Sequence, residues 1–320
     1  MDPNNHHTPA LDVITFGEAM LLLVANQTGP LEQVMAFHKR TAGAETNVAI
    51  GLARLGLRVG WASRLGADSM GRYLLAAMSG EGIDCSHVVC DAAQTTGFQF
   101  KCKVTDGSDP LVESHRKGSA ASHMDVAGID QAWLLGARHL HATGVFAALS
   151  VSTLTAARKT MDLMRAAGRS ISFDPNLRPA LWHSPEHMRA CVNDLAARAD
   201  WILPGLQEGR LLTGQTTPEG IARFYRQRGA RLVVVKLGSD GAYFEDASSC
   251  GYVPGFAVAK VIDTVGAGDG FAVGVISALV GGLSIAQAVR RGTWIGARAV
   301  QVLGDSEGLP TRAELDAAGL

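Results

Sequence analysis

The stretch DTVGAGDG, residues 263–270, sets three glycines within five residues beside two aspartates, directly ahead of the small-apolar run FAVGVISALV. The first amides of a helix have no intrahelical partner. Aided by the helix dipole, they form a site for an anion or for developing negative charge. Gly266, Ala267 and Gly268 are small enough to let phosphate oxygens reach such amides. Asp269 is the discordant member, since a carboxylate repels a phosphate. It makes sense if it addresses a third party, a hydroxyl that attacks the phosphorus. An aspartate there also serves as an ordinary helix cap, and the stretch alone leaves both readings open. Two other phosphate loops are absent. No GxxxxGK[ST] occurs, and Phe271 stands where G-x-G-x-x-G needs its third glycine.

Other residues have chemistry-bearing types. VVVKLGSDGAYF holds Lys236, Gly238 and Gly241 at the end of an apolar run, which reads equally as a strand entering a hairpin turn. Glu208 in LPGLQEGRLLTG reads by type as a solvated helix residue. Arg116 in SHRKGSA and Arg178 in SFDPNLRPALW present planar forks suited to a carboxylate, although loop arginines are commonly just exposed. His139 and His141 share one strand face as core or site edge. They and the other histidines lack metal-ligand spacing and receive no role.

The elements that must position these groups alternate strand and helix. VITF, LRVGWASRLG, RHLHATG, SISFDPN, DWILPG and RLVVVKLG read as strands with helices between them, including one helix running to Arg228. Val48, Leu52 and Leu55 recur at helical spacing, closed by Gly56. FAVAKVI reads as a strand feeding the DTVGAGDG junction. Such alternation predicts an α/β fold with a mostly parallel sheet covered by helices on both faces. Segments within about 20–42 and 94–118 break the rhythm. The second alternates polar and apolar residues around a turn at 106–110, and both are expected as a small lid over the strand ends, where ligands bind in open α/β sheets. Residues 1–10 are expected as a disordered tail before a single domain over 11–312.

Bulk properties narrow the classes. A formal net charge of −1 over 320 residues argues against nucleic-acid or anionic-membrane partners. Five scattered cysteines without C-x-x-C spacing read as reduced thiols. The polar N-terminus lacks a secretory h-region and no run reaches membrane-spanning length, so a cytoplasmic location is expected.

DTVGAGDGF followed by Gly274 resembles the C-terminal signature D-[TP]-x-G-A-G-D-x-F of the ribokinase-like (PfkB) carbohydrate kinases, and AGAETNVAIGLARLG resembles their N-terminal signature. The likeness runs from about Val13 to Pro310. It implies a three-layer sandwich with a small antiparallel β lid. It implies Asp269 as the base toward a sugar hydroxyl and Gly266, Ala267 and Gly268 as the anion hole. Lys236, Gly238 and Gly241 would contact ATP, and Glu208 would hold Mg2+ through water. The resemblance also implies a monovalent cation, K+, at Asp263 and Thr264, with LGDSEG (303–308) on its other side.

Two departures stand out: Gly205 and Thr293 each replace a usual asparagine, one near metal and phosphate, the other near adenine. Leu22 stands where ribose- and fructose-using relatives carry an aspartate. AGAETNVA, SHRKGSA, DPNLRPALW and LPGLQEGRLLTG are together similar to the 2-keto-3-deoxygluconate kinases of this family. That likeness implies a small sugar acid as substrate, with Gly43 and Asn47 on its hydroxyls and Arg116 and Arg178 on its carboxylate. Gln99 would lie at one end of the sugar, where some of these kinases have tyrosine. The alternatives are another PfkB sugar kinase (fructokinase or ribokinase) or a non-catalytic sugar-sensing protein. The lid's apolar outer residues predict a homodimer or higher homo-oligomer.

Overall fold

Short runs of β-branched and apolar residues build the larger of two sheets in the computed structural model, which describes residues 11–104 and 110–320. The expected N-terminal tail and the lid turn at 106–109 lie outside the described residues. From one edge to the other the sheet holds β13 (Cys250–Val253), β12 (Ala242–Glu245), β11 (Leu232–Lys236), β10 (Trp201–Ile202), β9 (Ser170–Asp174), β8 (His139–Thr143), β1 (Val13–Phe16), β4 (Val59–Gly66) and β5 (Val88–Asp91). Pairing is parallel from β11 to β5, and antiparallel between β11 and β12 and between β12 and β13, so β12 alone runs against the rest. The alternation of side chains along β1 shows why both faces are dry. Val13 enters one core, with Trp61, Val234 and Phe271, while Ile14 and Phe16 enter the other, with Leu140, Ile171 and Phe173.

Strand order reverses at β1, so the carboxyl ends of β1 and β8 flank the crevice where open α/β sheets bind ligands. Over it lies a second sheet in the order β3 (Phe37–Ala42), β2 (Met20–Ala25), β6 (Phe98–Lys101), β7 (Val112–His115). Its two outer pairs are antiparallel, whereas β2 and β6 run parallel, so the lid is two hairpins laid side by side.

The helix Ala267–Val280 is buried from Asp269 to Ala278. It packs against the helix Ile285–Ala299 so closely that a Cβ on Gly274 would lie 2.5 Å from Gly292 Cα. Two expectations are corrected. FAVAKVI forms no strand: the amides of Ile262 and Asp263 donate instead to Val300 O, at the end of a helix, at 2.8 and 3.2 Å. The single helix drawn to Arg228 is two, Leu206–Thr213 and Pro218–Arg226. Gly214 breaks the run in the left-handed region at φ +73°, and Thr217 caps the second helix with Pro218 in its first turn.

Candidate active site

A cleft of about 580 Å³ lies between the carboxyl ends of β1, β8, β9 and β11 and the inner face of the lid. Asp269 stands in the first turn of the Ala267–Val280 helix, 8% exposed and facing this cleft. Its Oδ2 accepts from Asn47 Nδ2 at 2.8 Å and its Oδ1 from Asn176 Nδ2 at 3.1 Å. The carbonyl oxygens of both asparagines are buried without a hydrogen-bond partner among the described residues. Buried acceptors of this kind ask for donors, and a ligand hydroxyl set beside Asp269 would supply them. Burial pushes the Asp269 carboxyl up to about 7. The Asn47 hydrogen bond and Lys236 oppose that shift, while Asp174 and Asp305 add to it.

Gly266 caps the helix with φ +83°, and a Cβ there would lie 2.2 Å from Asp305 O. Only glycine fits this turn. The first full helical bond runs from Gly270 N to Gly266 O at 2.8 Å, so the amides of Gly268 and Asp269 precede it. A Cβ on Gly268 would meet only Lys236 Nζ, at 3.4 Å. Lys236, at the end of β11, pairs with buried Asp174, at the end of β9, at 2.6 Å. Burial works to lower its pKa, but Asp174, Glu208 and Asp269 outweigh burial and hold the ammonium above its ordinary value. One cation and a helix N-terminus therefore converge on the space in front of Asp269, an arrangement that stabilises charge on a transferring phosphoryl group.

Glu208 lines the same cleft, and both carboxylate oxygens accept backbone amides: Leu177 N at 2.7 Å and Gly205 N at 2.8 Å. It thus holds the Asn176 turn and caps its own helix, a dual role no spacing rule reveals. Among the described residues no cluster of three or more His, Cys, Asp or Glu is arranged to hold a metal. Magnesium needs no such cage, since it retains much of its water and leans on one or two carboxylates and substrate phosphates, and Glu208, which lines the cleft and carries no ion pair among the described residues, fits that demand.

Gly238 and Gly241 lie in the turn leaving β11, beyond the cleft lining, at φ +65° and +98°. Thr293 is buried in its helix and donates to Arg290 O at 2.8 Å. Gly43 caps the helix Ala44–Arg54, where a Cβ would lie 2.4 Å from Glu18 O.

At the other end of the cleft Gln99 donates to Ser114 Oγ at 2.9 Å, and Leu22 is buried at the wall. Arg116 is engaged: its Nε and Nη2 reach Glu18 Oε2 at 2.7 and 2.6 Å. Arg178, by contrast, is exposed at the mouth and, among the described residues, donates only to Leu177 O, at 2.9 Å. Asp263 does not face the phosphate space. Its Oδ2 lies 2.5 Å from Lys101 Nζ, and its Oδ1 accepts from Val265 N at 3.1 Å.

Sequence reasoning missed several groups. Asp174, Asn176, Glu18 and Glu45 all line the cleft. For the first two the Asp-Pro-Asn at a strand end was an available signal. Burial pushes the Glu45 carboxyl up to about 7, against its bond from Thr143. His139 and His141 sit in the core, sharing Ser172 Oγ at 2.8 and 2.9 Å, and burial drives His141 down to about 3.

The family described as pfkB family carbohydrate kinase matches residues 10–312. Over 306 residues the chain is 50% identical to the 2-dehydro-3-deoxygluconokinase of Bacillus subtilis (strain 168), covering 95% of this chain and 94% of that protein. Its fold superposes on a crystal structure of a PfkB protein from Polaromonas sp. JS666 with a TM-score of 0.90 at 75% identity, covering 96% and 100% of the two chains. A putative Ribokinase II from E. coli in complex with ATP and Mg2+ matches with a TM-score of 0.88 at 28% identity, covering 96% and 98%.

Proposed function

The chain belongs to the pfkB family of carbohydrate kinases, and from that premise we propose that it transfers the γ-phosphoryl group of ATP to the terminal hydroxyl of 2-keto-3-deoxygluconate. Asp269 takes the hydroxyl proton as the new oxygen–phosphorus bond forms and the bond to the ADP oxygen breaks. The amides that follow Gly266 and the Lys236 ammonium receive the charge of the transferring group, which in a loose transition state is most of what a protein has to do. Gly238 and Gly241 flank the nucleotide beyond Lys236. Glu208 faces the Mg2+ shell, and that ion, when bound, neutralises phosphate charge. Gly43, Asn47, Asn176 and Gln99 meet the sugar hydroxyls. The 50% identity to a kinase of this substrate supports the choice of acceptor.

Arg178 is the observation that carries the acid reading. Of the four lysines and arginines lining the cleft, Lys101, Arg116 and Lys236 are each paired with a carboxylate, and Arg178 has no ion pair among the described residues. A neutral sugar does not require that guanidinium, whereas a carboxylate does. Arg116 keeps Nη1 for the same end of the sugar and positions it through Glu18. The test is ADP release over a panel of sugar acids and neutral sugars. Arg178→Gln is expected to raise KM for the sugar acid roughly 10- to 100-fold, the worth of one charged hydrogen bond, with KM for ATP unchanged. Equal use of fructose or ribose would overturn the acid reading. No turnover on any sugar would favour a sugar sensor.

Pairing of two chains through their lids belongs to the same reading. The inner lid face carries Gln99 and Lys101, so Phe98 and Phe100 point outward, half-exposed, in ring contact with Phe37 and His115. A second copy covers this apolar patch. Light scattering is expected to give twice the chain mass or more, and a single-chain mass would reject the pairing.

A further inference from the structure

Lys101 is 1% exposed although it lies on a lid strand. Its Nζ sits 2.5 Å from Asp263 Oδ2 and 3.2 Å from Asp305 Oδ1, both buried. Asp263 Oδ2 also accepts from Gly304 N at 3.2 Å. One ammonium group therefore closes the 263–266 turn onto the 303–306 loop. That loop carries the Asp305 carbonyl against which Gly266 is seated. This is where family resemblance leads one to expect K+. The residues present do not fit a second cation there, because a tethered ammonium already sits against both acidic side chains and supplies the single positive charge.

We propose that Lys101 replaces the monovalent cation in this chain and ties the lid to the loop that holds the anion hole. An ammonium supplies the same single positive charge, with three donors fixed in number. Because it rides on the lid, its seat couples the sugar-covering sheet to the phosphate-binding turn. Lys101 is on this account a positioning residue that touches neither substrate, and the inference rests on the kinase reading only for its activity readout.

The test compares wild type and Lys101→Ala in choline, sodium, potassium and ammonium chlorides at one ionic strength. Both the melting temperature of the sugar-free protein and kcat are followed. Wild type is expected to behave alike in all four salts. Lys101→Ala leaves two buried carboxylates without a counter-charge. It should melt lower and lose kcat on the order of tenfold to a hundredfold through misplacement of the anion hole. Potassium or ammonium should restore both, and choline neither. Potassium activation of wild type, or a Lys101→Ala protein with unchanged kcat or without cation rescue, overturns the proposal. Should the variant not fold, the wild-type comparison decides. A protein that shows the melting response but phosphorylates no sugar acid leaves this inference standing and removes the kinase substrate instead.

Discussion

Asp269→Asn is expected to lower kcat by roughly 10²- to 10⁴-fold, the usual contribution of a positioned general base, with both KM values nearly unchanged. The substitution keeps shape and removes only the proton acceptor. Asn47 and Asn176 hold the side chain from either side, so the amide stays in place and keeps one of the two hydrogen bonds that the carboxylate accepts. The fold should tolerate the change, because a buried carboxylate that burial already disfavours is replaced by a neutral group. The pH profile supplies the second readout. A base acts when ionised, and this one titrates near 7. Wild-type kcat/KM should therefore fall about tenfold for each pH unit below that bend, and the asparagine variant should lose the bend. A coupled ADP assay on either side of neutrality measures both. An unimpaired variant, or one that keeps the acid limb, would sink the assignment of Asp269 as base.

Gly266→Ala should be nearly as damaging by another route. A methyl at φ +83° is disfavoured, and here it would also meet the Asp305 carbonyl at 2.2 Å, a backbone atom that cannot step aside alone. The turn must open, carrying the following amides away from the phosphoryl position. Loss of one such donor costs about 10²- to 10³-fold in kcat, and displaced packing costs about 1–3 kcal/mol of stability. Gly268→Ala separates these effects. Its Cβ would meet only the flexible end of Lys236, at 3.4 Å, so the melting temperature should hold while KM for ATP rises. Equal thermal losses in the two variants would show that the glycines serve the fold and not the phosphate.

These two residues were legible in one dimension because amides, small side chains and acid are consecutive on one helix start, although the groups that hold them, Asn47, Asn176 and Asp305, are distant in sequence. The alternation of strands and helices was legible for the same reason, since each period is local. Lys236 could be placed at a strand end, but not its pairing with Asp174, 62 positions away. Asn176 was hidden in an Asp-Pro-Asn that any turn could use. Lys101 misleads most. In FQFKCK an alternating polar residue reads as solvated, and the inner face of a lid looks onto a cleft floor that no strand pattern reports. FAVAKVI failed as a strand because apolar content says nothing about whether a ladder partner is available. The neighbouring edge ends at β13, and the segment's amides go to a helix terminus instead.

Gln99, Ser114 and Arg116 reach the cleft from the lid side, whereas Asp269, Gly266 and Lys236 belong to the main body. On the proposed reading acceptor recognition is divided, with Gln99 and Arg116 supplied by the lid and Arg178 and Asn47 by the body that also carries the phosphoryl chemistry. A lineage, or an engineer, can exchange lid side chains to recruit a new sugar without disturbing the catalytic helix. Lys101 limits that freedom, because any redesigned lid must still deliver its ammonium to the same two carboxylates.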